Sequence, residues 1–354
     1  MDIGGMKNKE YGSDFYYPVA PQWSLDPSND SFFASSEIAL FFSGRSALYH
    51  LLVQGISKQM WKHLYLPSYY CHEVYRFVKE LPIEIHYYHF NPAFDIELDR
   101  NSIPDCVDTV LVNTSFFGMK TADASFLKNT IIVEDLTHNL KACDTSNAHY
   151  CFGSLRKELP VGVGGFCYSP RALEIPMGGA NSDADKLAEL KIEAMSQKQA
   201  YLSGSSEDKT TYLEQFAKGE SQFEAIYTQA TMPEIAKRQL FSLDMDKLLV
   251  QKEKNLLQAM AALVHLDQIR VFGSADNRPT FGLVFQCRST EVRNALRTHL
   301  IENKIYPAIL WPDQTEERDR LLENTLLFIH TDFRYDAKDI SEITKTIISY
   351  FTNA

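Results

Sequence analysis

Residues 130–165 read TIIVEDLTHNLKACDTSNAHYCFGSLRKELPVGVGG. The first six, Thr130 to Asp135, form a short apolar run that ends in two acids. A strand solvated on one face would alternate apolar and polar residues, so a continuous apolar run predicts a strand covered on both faces. Two further strand-like pieces follow, HYCFGS (149–154) and GGFCYS (164–169), and they bracket a loop that holds Lys157. Strands this close in sequence predict a hairpin-like insertion that makes the sheet mixed.

Upstream, HLYLP (63–67), IEIHYYHF (83–90) and TVLVN (109–113) are strand-like, while CHEVYRFVKEL (71–81) and ADASFLKN (122–129) read as helices. Leu48, Leu51 and Leu52 recur at helical spacing, which starts a helix just after Ser43-Gly44. Strands alternating with helices define an α/β domain with a mostly parallel sheet flanked by helices. Downstream, residues 182–262 are polar and helical, broken by GSSEDKTT (204–211), and 245–266 has a long amphipathic period. From about 268 the pattern becomes that of a compact α+β unit. It runs through RVFG, TFGLVFQCR (280–288), helix 290–304, LLFIHTD (326–332) and a last helix. The expected division is an irregular segment, 1–40, a large α/β domain, 41–260, and a small C-terminal α+β domain, 261–354.

Charge narrows the function. The 354 residues carry 35 Lys+Arg against 46 Asp+Glu, a net charge of −11. Nucleic-acid binding needs a basic surface, so it is not expected. No apolar run reaches the roughly 18 residues of a membrane span, and MDIGGMKNKEYGSDF lacks a secretory apolar core, which reads as a soluble cytoplasmic protein. The six cysteines are scattered, with no C-x-x-C pair. We expect reduced, mostly buried thiols and no metal centre.

Three places carry candidate chemistry. Ser43-Gly44-Arg45-Ser46 opens a helix, where free backbone N–H groups and the helix dipole attract an anion; Ser there is also an ordinary N-cap. Glu134-Asp135 ends a strand, and ligands of open α/β sheets sit at that end. His138 lies three residues on and can reach the same crevice, or serve as a satisfied structural histidine. Lys157, beside Ser154 and the glycines at 162, 164 and 165, is placed to form a Schiff base. Its plainer reading is a surface lysine.

In this order, these elements resemble pyridoxal-phosphate enzymes of the aspartate-aminotransferase fold (fold type I). More narrowly, they resemble the DegT/DnrJ/EryC1/StrS sugar aminotransferases. SGRSAL (43–48) is similar to that family's phosphate-binding helix start, LPSYYC (66–71) to its Leu-Pro-Ser-aromatic segment, and SFFG (115–118) to its His-x-x-Gly loop. VEDLTH (133–138) is similar to its Glu-Asp-Ala-Ala-His/Gln, SLRK (154–157) with GVGG (162–165) to its cofactor lysine and glycines, and TDFRY (331–335) to its Arg-Tyr element. Phe152 and Ser154 stand five and three before Lys157, where the family has Ser-x-His-x-x-Lys. Arg45 replaces its Thr. Cys71, between Tyr70 and His72, falls where an aromatic often stacks on the cofactor ring.

The resemblance implies pyridoxal 5'-phosphate joined to Lys157, with Asp135 at the pyridine nitrogen and His138 supporting the ring hydroxyl or Asp135. It places the backbone of Gly44 and Arg45 and the hydroxyls of Ser46 and Ser154 at the phosphate. Ser43, Tyr70, Cys71 and Ser115 complete the implied cofactor-binding set, with Tyr70 near the ring face. The implied activity moves an amino group from glutamate or glutamine to a nucleotide-linked keto-sugar, in a homodimer. Two alternatives stay open: a pyridoxal-phosphate enzyme acting on a small amino acid, and an inactive relative of the fold serving as a binding protein. Trp311-Pro312 reads as cavity lining or packing, Arg334-Tyr335 as a structural ion-pair element, and 316–320 as a solvated helix face.

Overall fold

The computed structural model describes residues 6–26, 29, 31–90, 98–223, 225–226, 228, 230–273 and 277–352. In chain order the strands are β1 (Tyr11–Gly12), β2 (Ile38–Phe41), β3 (His63–Pro67), β4 (Glu84–Tyr88), β5 (Thr109–Thr114), β6 (Ile131–Asp135), β7 (Tyr150–Ser154), β8 (Gly165–Tyr168), β9 (Ile269–Val271), β10 (Leu283–Cys287), β11 (Ile305–Tyr306) and β12 (Leu326–Ile329). The α-helices are α1 (Gly44–Gln59), α2 (His72–Val78), α3 (Ser182–Ser203), α4 (Thr210–Phe223), α5 (Glu234–Phe241), α6 (Met245–Leu263), α7 (Thr290–Glu302), α8 (Glu317–Thr325) and α9 (Ala337–Thr352).

Among the described residues the large sheet has seven strands in the order β2-β8-β7-β6-β5-β3-β4. The pairs from β7 to β4 are parallel, and β8 runs antiparallel to both β7 and β2. This is the mostly parallel, mixed sheet expected from residues 130–165. All six residues of β5 are buried, as a strand covered on both faces requires. One apolar layer packs Leu48, Leu51 and Leu52 of α1 against Leu64, Val110, Val112 and Val133. The opposite layer holds Tyr65, Leu111 and Phe166 with Leu187 and Met195 of α3.

A smaller antiparallel sheet, β12-β10-β9, packs with α6, α7 and α9 around a third apolar cluster. That cluster takes in Leu256, Ala259 and Leu263 of α6, and also Tyr11 from the other end of the chain. β1 pairs in parallel with β11, so Tyr11 and Gly12 are fixed to the last third of the protein. Among the described residues no helix is long and apolar enough to cross a membrane.

Two expectations are corrected. ADASFLKN (122–129) forms turns instead of a helix. Asp123 accepts from the Ser125 N–H, and Asp105 accepts from Asn129 and Thr130, so side chains take donors that a helix would need. The 316–320 run does begin α8, but Asp319 is buried while its neighbours are exposed. Within 1–40, most of the path is irregular apart from β1, the start of β2 and two short 3-10 turns; residues 1–5, 27, 28 and 30 lie outside the described residues.

Candidate active site

The carboxyl ends of β3, β5, β6 and β7 open onto a cavity of about 710 Å³. This is the end at which a parallel sheet binds its ligands. Tyr70 and Cys71 follow β3, Ser115 follows β5, Asp135 ends β6, Ser154 ends β7, and Arg156 and Lys157 follow it; all line the cavity. His138, Ser43, Gly44 and Arg45 join them.

The backbone brings these groups together by close approach. Ser43 caps α1, its hydroxyl accepting from the Ser46 N–H at 3.0 Å. An N-cap of this kind is worth about 1 kcal/mol. A Cβ on Gly44 would stand 3.0 Å from the Ser154 nitrogen, and one on Gly165 would stand 2.2 Å from the Ser43 carbonyl carbon. Glycine at both positions lets the start of α1, the end of β7 and β8 converge. Ser46 does not line the cavity: its hydroxyl meets Ser43 Oγ at 3.0 Å and donates to the Ile226 carbonyl at 3.4 Å. The Ser115 hydroxyl is likewise committed, donating to the Met119 carbonyl at 2.5 Å.

Asp135 is buried, and burial pushes its carboxyl above the usual carboxylate range. Opposing this, it accepts from the Thr137 N–H at 2.9 Å and from the Tyr70 hydroxyl at 2.5 Å. Tyr70 is held in turn by Gln314, whose side-chain amide donates to the Tyr70 carbonyl at 2.9 Å. His138 stacks on Phe281, with ring centroids 3.9 Å apart, and on Trp311 at 5.4 Å. Desolvation, with the charges of Lys157 and Lys252, lowers its pKa to about 3, so it is neutral in physiological conditions.

Lys157 is exposed within the cavity and ringed by protein. The Arg156 charge beside it, then desolvation, brings its pKa down to about 8. Arg156 donates to both carboxylate oxygens of Glu220, at 3.0 and 3.3 Å, and Lys191 pairs with the same carboxylate. Arg45 pairs with Glu73 at 3.2 Å. Arg45, Arg156 and Lys191 all face the ring of Phe223. One wall therefore gathers four cations with two carboxylates, a local excess of positive charge in an acidic chain.

No protein family and no curated protein matches the chain in sequence. Solved structures do match it in shape. A DegT DnrJ EryC1 StrS aminotransferase from Brucella abortus is 12% identical, with 93% of this chain and 91% of that one covered, at a TM-score of 0.59. DesI, solved with its TDP-sugar product, is 15% identical, with coverages of 88% and 80% and a TM-score of 0.60. A Streptococcus pneumoniae protein named as a candidate sugar aminotransferase, in its apo form, is 13% identical, covered 96% on both sides, at 0.61.

The chain has the fold of the sugar aminotransferases.

Within this aminotransferase fold, sequence reading missed several cavity residues. Arg156 lines the cavity beside Lys157, and no motif marks it in the sequence. Phe216, Glu220 and Phe223 lie on one face of α4, four and three residues apart, and that spacing was the available signal. Asp14, Phe281 and His330 also line the cavity, drawn from distant parts of the chain, where no local pattern marks them.

Proposed function

We propose that this protein is a pyridoxal-phosphate-dependent aminotransferase that passes an amino group from glutamate or glutamine to a nucleotide-linked keto-sugar. The observation that carries this is Lys157, an amine of lowered pKa, in one cavity with a buried carboxylate, Asp135, and a helix N-terminus, at Ser43.

The residues present fit the cofactor. Its aldehyde needs an unprotonated amine, and the lowered pKa of Lys157, about 8, brings that form far nearer to neutral pH than in an ordinary lysine. Its pyridinium needs a carboxylate held away from water, which Asp135 supplies. Its phosphate needs donors, which the first turn of α1 and the Arg45, Arg156 and Lys191 wall supply. Bound there, pyridoxal phosphate supplies an electron sink for the substrate carbon that bears the amine.

The chain does the rest. Asp135 is kept in place by Thr137 and Tyr70. Neutral His138, wedged between Phe281 and Trp311, narrows the cavity without adding charge. Lys157 moves the proton, because a group whose pKa lies near the working pH can both take and return it. A homodimer accompanies this reading, as does the division of the chain near residue 260.

The test is covalent trapping. Protein mixed with pyridoxal phosphate and reduced with borohydride is expected to carry the added mass on Lys157, and Lys157→Ala to carry none. The rate of attachment is expected to rise as pH increases through about 8, since the free amine appears there rather than near 10.5. Wild-type protein that takes up no label overturns the reading. Amino-acid conversion without turnover of any nucleotide-linked keto-sugar moves the proposal to the amino-acid alternative.

A further inference from the structure

We propose that the amino ends of β3 and β4 form a binding site for a divalent first-row transition ion, zinc by its ligand chemistry, built from His63, Glu84 and His86. This site is separate from the cavity, which none of the three residues lines.

Register builds the cluster. His63 of β3 lies opposite Glu84 of β4, and the next same-face pair sets Tyr65 opposite His86. Side chains two apart on a strand share a face, so the ladder delivers both imidazoles and the carboxylate to one spot. His63 Nδ1 lies 3.2 Å from His86 Nε2 and 3.2 Å from Glu84 Oε2, and His86 Nε2 lies 3.7 Å from Glu84 Oε1.

Those separations suit a metal. Tetrahedral zinc with bonds of about 2.0–2.1 Å sets its ligand atoms roughly 3.3 Å apart. Two imidazoles and a carboxylate are borderline ligands that suit zinc better than calcium or magnesium, which take oxygen sets. The donors are also preorganised: the Tyr65 ring stacks on His86 with centroids 4.7 Å apart and an interplanar angle of 17°. Both histidines are half-buried, and Glu84 is exposed, so an ion has a path in and an open position for water. Four residue steps along β3, about 13 Å, separate this end from the end that meets the cavity. Metal binding here is therefore expected to leave catalysis untouched.

The experiment is a zinc chloride titration of the chelator-stripped full chain against a fluorescent competitor. It is run in a Cys106→Ser background, because that thiol is exposed and would compete. One zinc per chain, bound at micromolar affinity or tighter, is expected, with affinity falling at least about 100-fold in His63→Ala/His86→Ala. Circular dichroism establishes that both proteins are folded. If the double variant does not fold, Glu84→Gln replaces it, with a loss of about tenfold expected. A wild type that binds no zinc, or variants that bind as tightly as wild type, overturns the site.

Discussion

Tyr70 shows how one hydroxyl sets the character of the site. Its bond to Asp135 gives a buried carboxylate a donor fixed by the protein itself. A hydrogen bond to a charged group is worth about 1.5–3 kcal/mol. Tyr70→Phe is therefore expected to lower kcat about 10- to 100-fold, with the fold retained, as read by steady-state kinetics and circular dichroism. The sequence marked Asp135 and Lys157 by position alone, one at a strand end and one in a loop between strands. It did not mark the Tyr70–Asp135 bond, because 65 residues separate the two. Nor did it mark the stacking of His138 on Phe281 and Trp311, because stacking depends on where three distant backbones meet. Ser46 shows the reverse: a serine of the right type, in the right turn, whose hydroxyl is spent on its own helix cap.

At the scale of elements, the meeting of α1, β7 and β8 is the tightest joint of the site. A Cβ on Gly165 would overlap backbone atoms of Ser43 and Gly44, which cannot move without moving the helix. Gly165→Ala is expected to destabilise by about 3 kcal/mol or more, or to prevent folding. Gly44→Ala meets neighbours at 3.0–3.1 Å and is expected to cost less, about 1 kcal/mol. Urea unfolding of the two variants checks the order. Most elements were legible for a simple reason: a buried parallel strand is a continuous apolar run, and TVLVN and TIIVED are such runs. ADASFLKN mimics a helix in its apolar spacing, which carries no sign that the side chains of Asp123 and Asp105 bind the local backbone.

At the scale of the whole molecule, Arg334 fastens the two ends of the chain. It pairs with buried Asp332 at 2.8 Å and donates to the carbonyls of Ser13 and Asp14, beside the cavity. The guanidinium holds the Asp332 carboxyl well below the usual carboxylate range. Arg334→Met strands that carboxylate and is expected to cost about 3–5 kcal/mol in thermal or urea unfolding. Adding Asp332→Asn is expected to recover part of the loss, since the two residues form one network. The same tie has a meaning in time. The Tyr11 hydroxyl binds Asp339 and Glu342, 328 and 331 residues later, and Asp14 forms part of the front wall of the cavity. A nascent chain emerging from the ribosome thus carries Lys157 well before Trp311, Phe328 and His330 complete the cavity lining, and the Tyr11 hydroxyl meets its partners only when the last helix is released.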